Sequence, residues 1–414
     1  MMLVRTLILF AAISTTMLPT LVAAQINDTP LTLERALEIA AVSRLELTAA
    51  DAETEAAQHH ARQEGAWNNP VFFLELEGAP TDGDAWQNAD RVIGFGQTLS
   101  LGGRRGANRD AANLLALATE ARRNQTAQVV AASVRRAFAR VLFAEGLVVL
   151  HDEIVISSQT AVDIVSSRLE LGGATSDELA HASLELSVAQ LGQTRSLAEL
   201  EMTHTDLAVA LGMETGRVLQ LDGILGKTGD LPNLDVMLAE LDRSPGLQAV
   251  NARAEAAIAS ARSVSRSRIP DVDLSLGIRR FGGSSSMNDA VDAGVSFQLP
   301  LFNRNSAKIA SARANVVAGQ AVVRLTRIEL ERRIRDIHSR LETANDVVKT
   351  YTSDLLPAAD TVLASIEQRH AADDAELIDV LQVRTTWVDR RLADLEARLE
   401  LDLIRAELAA VSWR

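Results

Sequence analysis

Gly223-Ile-Leu-Gly-Lys-Thr228 carries the residue types of a phosphate-binding loop. Such a loop cradles phosphate oxygens with backbone N–H groups and needs four residues between its glycines, directly after a strand. Here two residues separate them and no strand pattern precedes, so the spacing excludes a nucleotide site. His59 and His60 are metal-ligand types, but adjacent helical residues point about 100° apart and do not chelate as an i, i+4 pair does. The other histidines are scattered. No cysteine occurs, which removes thiolate metal sites, disulfides, a cysteine nucleophile and a lipidated N-terminal cysteine. No nucleophile–base–acid set assembles. What remains is electrostatic: carboxylates at two polar corners, Asp177 and Glu178 in the first, Asp373, Asp374, Glu376 and Asp379 in the second. Acids in a first helical turn complement the helix dipole. Crowded into a ring, they attract cations and repel anions. Neither role is catalysis, so the sequence describes no enzyme and no cofactor.

The elements that hold these corners are long. The chain runs to 414 residues, with 47% hydrophobic residues but only 3% aromatics, a composition suited to thin helix–helix seams. Net charge is −14, which argues against a nucleic-acid partner. Residues 1–24 read as a cleaved export signal: Arg5, an apolar core, then Val-Ala-Ala before Gln25. No later run reaches the ~18 apolar residues of a spanning helix. The remainder reads as one unit used twice, 25–213 and 234–414, joined by a Gly/Pro-containing linker, 214–233. Each copy has a helix, two strands and two further helices: 32–66, strands 71–78 and 91–100, then 104–170 and 176–211; and 234–266, strands 271–280 and 291–301, then 306–369 and 375–412. A helix over 104–170 reaches about 100 Å. Leu184, Val188, Leu191, Leu197, Leu200, Leu207 and Leu211 step by threes and fours, as do Leu377, Leu381, Val388, Leu392, Leu395 and Leu399: coiled-coil seam spacing. Pro357 should kink or break its helix.

The strands alternate. Val272, Leu274, Leu276 and Ile278 oppose Asp273, Ser275 and Arg279, and Phe72, Leu74 and Leu76 oppose Glu75 and Glu77. A soluble sheet covered by helices fits this pattern, and so does a transmembrane barrel. The export signal, strand lengths near the ~9–11 residues of a tilted membrane strand, and helices without a broad apolar face favour the barrel. Four strands cannot close one, so its backbone edges must be met by other chains.

Several segments carry a family resemblance: "LTLERALEIAAVSRLEL", "NNP" before the first strand, "GQTLSLGGRRGANRDAA", "SPGLQAVNARAEAA", "FQLPLFNRNSAKIASARA" and "AELIDVLQVRTTWV". Over essentially its full mature length the chain resembles outer-membrane efflux proteins of the TolC type, and its "LSLGGRRG" form and unlipidated start look most like the CzcC-type branch serving heavy-metal cation efflux. The resemblance implies a mainly α fold with a small β part: a trimer sharing a 12-stranded barrel in outer-membrane lipid, continued by a helical periplasmic tunnel. It implies a passive exit duct coupled through a periplasmic adaptor to an inner-membrane pump, of the proton-driven RND type. Small organic toxins are the alternative cargo, and a soluble periplasmic coiled-coil scaffold or adaptor is the alternative of another class. The corner acids become gate residues, Asp379 first because it aligns with a constriction acid and lies further into its helix; Gln382 stands where the family often has a second acid. Leu171, Gly172, Gly173 and Ala174, with Arg369, His370 and Ala371, correspond to the adaptor-docking groove, or are plain turns. Glu75, Glu77, Asp271, Asp273 and Arg279 would face the barrel lumen. Gly102, Gly103 and Pro300 would mark the barrel-to-tunnel passage. Val42-Ser43 replaces the family's Asn-Pro at the first helix break, and a leucine in "SSRLELGG" replaces its tyrosine.

Overall fold

The computed structural model describes residues 30–79, 81, 85–216, 218–282, 289–372 and 374–411; the expected export signal and Asp373 lie outside them. In chain order the elements are β1 (Leu31–Thr32), α1 (Leu33–Ser43), α2 (Leu45–Glu64), β2 (Val71–Glu77), α3 (Ala85–Asn88), β3 (Asp90–Leu99), α4 (Arg104–Glu170), α5 (Ser176–Leu211), β4 (Leu221–Asp222), α6 (Leu234–Ala239), α7 (Pro245–Arg266), β5 (Val272–Arg280), β6 (Asp289–Phe297), α8 (Ser306–Thr350), α9 (Leu356–Ala371) and α10 (Leu377–Val411).

Helix α4 is the spine. Its 67 residues span about 100 Å, and α2, α5, α7 and α10 all pack along it. Two apolar cores hold the bundle. One joins Ile39, Val134, Phe138, Leu207 and Leu211. The other joins Leu247, Ile337, Leu341, Leu401 and Ile404. The predicted seam on α5 divides: Leu207 and Leu211 are fully buried, whereas Leu184, Val188, Leu191 and Leu197 are at least half exposed on a single chain.

Three predicted helices are interrupted. The first breaks at Arg44, which is extended (φ −74, ψ 120). Its guanidinium donates to the carbonyls of Val209 (2.8 Å) and Ala210 (3.2 Å), near the end of α5, where a cation complements the helix dipole. Ser43 Oγ reaches the carbonyls of Ile39 and Leu211. Tertiary contacts therefore shape a bend that proline would otherwise impose. Arg44 also holds the Glu46 carboxyl below the usual carboxylate range through a direct hydrogen bond. The second interruption falls between α6 and α7, where Pro245 opens α7 at its first turn. The third is a π-helical turn, Tyr351–Leu355, immediately before Pro357. It absorbs the donor that proline lacks without ending the rod.

The linker is not featureless. β4 pairs in parallel with β1, and Gly226, at φ +62, sits so close to α10 that a Cβ would lie 2.4 Å from Arg398 Cβ. Its N–H donates to Asp402 Oδ2 (2.7 Å). The loop-like Gly-Lys-Thr stretch is thus a packing seat.

The larger sheet is antiparallel, in the order β2-β3-β5-β6. β6 ends at Phe297, four residues short of the expected 301, and β5 starts at Val272, leaving Asp271 outside the strand. Phe72 pairs with Phe95, Phe95 with Leu276, and Leu276 with Ala293. Directly paired residues share a face, so one face is mainly apolar, with Gln97 near one end and Arg91, Arg280 and Asp289 at the loop end as its polar members. No helix covers it: Phe72, Phe95, Leu276 and Val295 are all about 60% exposed or more.

Burial pushes the His204 imidazole below its ordinary value, and its Nδ1 has no partner. The unfolded chain therefore binds a proton near pH 6.5 that the native chain refuses. Stability is full above that pH and falls as pH drops through it, by up to about 1.4 kcal/mol per pH unit. Thermal unfolding of wild type between about pH 7.5 and about pH 5.5 should show this loss, and His204→Gln should show a shallower one.

Candidate functional site: two acidic corners and a polar sheet face

The α4–α5 corner closes at Leu171, which is 86% exposed, and Gly172, which takes the left-handed conformation (φ +77). Thr175 then caps α5 through a reciprocal pair: the Glu178 N–H donates to Thr175 Oγ1 (3.2 Å), and the Thr175 N–H donates to Glu178 Oε2 (2.9 Å). This is a capping box. Glu178 is committed to starting the helix, while Asp177 beside it is exposed.

The second corner is clamped differently. Arg369 donates from Nε to Asp374 Oδ2 (3.1 Å) and from Nη2 to the Asp374 carbonyl (3.1 Å). His370 Nδ1–H donates to the Ala375 carbonyl (2.8 Å). Because α10 begins at Leu377, Asp379 lies in its first turn, not deeper in the helix as the expected start at 375 implied. Its Oδ2 accepts the Glu376 N–H (3.3 Å), the same local geometry as Glu178. Gln382 is exposed one turn further on.

The two corners meet. Asp177, Glu178, Asp374, Glu376 and Asp379 line one hollow with Arg168, His181 and His370. Sequence reasoning passed over His181, although it stands one turn after Asp177. It also missed the tie between the two hairpins: Arg384 donates to Glu367 (2.9 Å) on α9 and to the Ser157 carbonyl (3.4 Å) on α4. Above it, Asp360 accepts from Trp387 Nε1 (2.7 Å) and from Arg391 (3.1 Å).

At the opposite end of the rod, Glu75, Glu77, Asp273 and Arg279 occupy the polar sheet face by register. Asp273 accepts from Thr98 (2.5 Å). Asp271 departs from expectation: it lies below the strand, paired with Arg104 at the head of α4. Gly102 and Gly103 both take positive φ there (71 and 69), and Arg266 donates to the Gly103 carbonyl (2.8 Å). Pro300 stands three residues beyond β6, so on that side the passage is irregular chain ending at Asn305, also left-handed (φ 55).

The arrangement offers carboxylates, cations and an apolar band, and among the described residues no set for covalent chemistry. Comparison with known proteins agrees. A family model described as outer membrane efflux protein matches residues 36–213 and, separately, 238–412. Over 364 residues the chain is 26% identical to the cobalt-zinc-cadmium resistance protein CzcC of Cupriavidus metallidurans, covering 88% of this chain and 85% of that one. It is 27% identical over 325 residues to the nickel and cobalt resistance protein CnrC of the same organism, covering 78% and 75%. A crystal structure of CusC, described in terms of folding and transmembrane channel formation, superposes with a TM-score of 0.78 over 92% of each chain at 16% identity, a likeness of fold.

Proposed function

The chain belongs to the outer membrane efflux protein family, and on that premise we propose that three copies close one 12-stranded barrel and conduct heavy-metal cations out of the cell. It is an outer-membrane efflux channel and not an enzyme. Channels of this family work with adaptor and inner-membrane pump partners. For this chain we assign a periplasmic adaptor and a proton-driven pump of the RND type. The metal cargo is supported by the similarity to CzcC and CnrC, whose names specify cobalt, zinc, cadmium and nickel.

One observation carries the reading: a four-stranded sheet with an uncovered apolar face and two unpaired edges, β2 and β6. In hydrocarbon, each unmet backbone group costs several kcal/mol. Edge β6 of one copy meeting β2 of the next removes that cost. The seam residues Leu184, Val188, Leu191 and Leu197 on α5 fit the same assembly, since they stand at least half exposed on one chain. A soluble scaffold would leave the apolar face in water.

In this reading the corner hollow becomes a ring of acids at the tunnel entrance, with Asp379 as its principal member, and the exposed Leu171–Ala174 turn meets the adaptor. Single-channel recording of the purified protein in planar bilayers tests the duct and the part given to Asp379. Wild type should conduct and prefer potassium over chloride, and Asp379→Asn should lower that preference about twofold. Silence under every gate-opening condition would defeat the duct. An unchanged ratio would remove Asp379.

A further inference from the structure

We infer that Arg279 is a tethered cation that keeps three carboxylates of the polar sheet face from capturing the metal ions that pass them. The inference rests on the reading of that face as channel wall. Arg279 lies on β5 at the loop end of the sheet. Its Nη1 lies 2.5 Å from Glu77 Oε2 on β2 and 3.6 Å from Asp90 Oδ2 on β3. Its Nη2 lies 2.8 Å from Asp292 Oδ2 on β6, and Nε donates to the same oxygen (2.9 Å). A single side chain thus touches an acid from each of the other three strands. Asp90 is held in place from behind, since its Oδ1 accepts the Gly282 N–H (2.9 Å).

Three carboxylates from three strands, gathered around one guanidinium, are of the oxygen type that hard divalent cations take. Among the described residues no group of histidines and acids, these three included, is placed to hold a metal ion; here a guanidinium lies between the acids, with Glu77 and Asp90 at Nη1 and Asp292 at Nη2. A duct for divalent ions must attract them without holding them, because conduction fails where binding is too tight to leave. Three acids against one arginine leave the cluster net negative, enough to attract. The fixed guanidinium fills the coordination positions, so a passing ion finds charge but no cage. Arginine suits this better than lysine, since its planar fork serves several oxygens at once. A purely mechanical role would also tie four strands together, so the test must read something that mechanics does not move.

The probe is cobalt chloride, titrated calorimetrically at neutral pH into the full-length protein purified in detergent. Wild type should show no saturable site at the sheet. Arg279→Gln should gain one site per chain, at least about tenfold tighter than any wild-type binding. Adding Glu77→Gln and Asp292→Asn to it should abolish the gain. Arg279→Lys, which keeps a cation in place, should behave as wild type. Arg279→Gln binding no more cobalt than wild type overturns the inference, as does Arg279→Lys gaining as much as Arg279→Gln. If Arg279→Gln fails to assemble, assembly is scored with and without calcium chloride: recovery by the divalent ion supports the inference, and no recovery overturns it. Bilayer conductance of wild type is read separately. A silent wild type would defeat the channel reading while leaving the titration to decide the fate of Arg279.

Discussion

Leu276→Arg should eliminate the proposed trimer from the outer membrane, while Ser275→Arg, one residue away, should leave most of it in place. Leu276 stands at the middle of β5, paired with Phe95 and Ala293, and is 62% exposed on the apolar face. A charged side chain at the lipid midplane costs about 2–4 kcal/mol. Three copies in the proposed barrel would carry roughly 6–12 kcal/mol, comparable to the whole stability of an ordinary domain. Ser275 points to the other face, between Gly96 and Gly294, where the missing side chains leave room for an arginine in water. Membrane fractionation and unheated gel electrophoresis of both variants give the answer. Equal loss in the two would mean that the faces have been assigned wrongly. A cell depending on this channel should become metal-sensitive with the first variant only.

Leu401→Ala should lower the folding stability of the helical body by about 2–5 kcal/mol. Leu401 has no exposed surface and sits on α10 among Ile337, Leu341 and Ile404. The α8–α10 wall is thin, with little aromatic mass nearby to slide into the void, so the cavity should stay open. Leu197→Ala is the useful contrast. Leu197 is 51% exposed on a single chain, so its loss should barely move the unfolding of one chain and should instead weaken the association of three. Circular dichroism melts and sedimentation in detergent separate the two effects. A large shift in chain unfolding for Leu197→Ala would place that seam inside the subunit.

Much of the fold was legible in the sequence because its signals are local. With no proline between Pro80 and Pro232, Gly102-Gly103 before and a glycine corner after, the span 104–170 had nowhere to break. Period-two alternation marked all four strands, and their errors lie at the ends, where Pro300 was counted into a strand that stops at Phe297. What stayed hidden depends on distant partners. The bend at Arg44 is made by the end of α5, more than 160 residues away. The β1–β4 pair is two residues long and has no pattern to find. Pro245, with Ser244 before it, was a readable helix start that the run of apolar residues around it obscured. At the corners, Asp379 was misplaced because α10 was begun two residues early. Alternation put Glu77 and Arg279 on one face, but only the β3–β5 register brings together strands from opposite ends of the sequence.

That register also dictates a schedule. Arg91 pairs with Arg280, so the central hydrogen bonds of the sheet join two stretches of chain separated by nearly half the polypeptide. No part of the membrane wall beyond a lone hairpin can form until β5 has crossed into the periplasm, whereas α4 and α5 can zip together long before. A lone two-stranded hairpin is only marginally stable in water. A message cut short before β5 should therefore yield helical fragments for periplasmic proteases to clear and not a leaky hole in the envelope. Such alleles would be recessive and harmless to the permeability barrier.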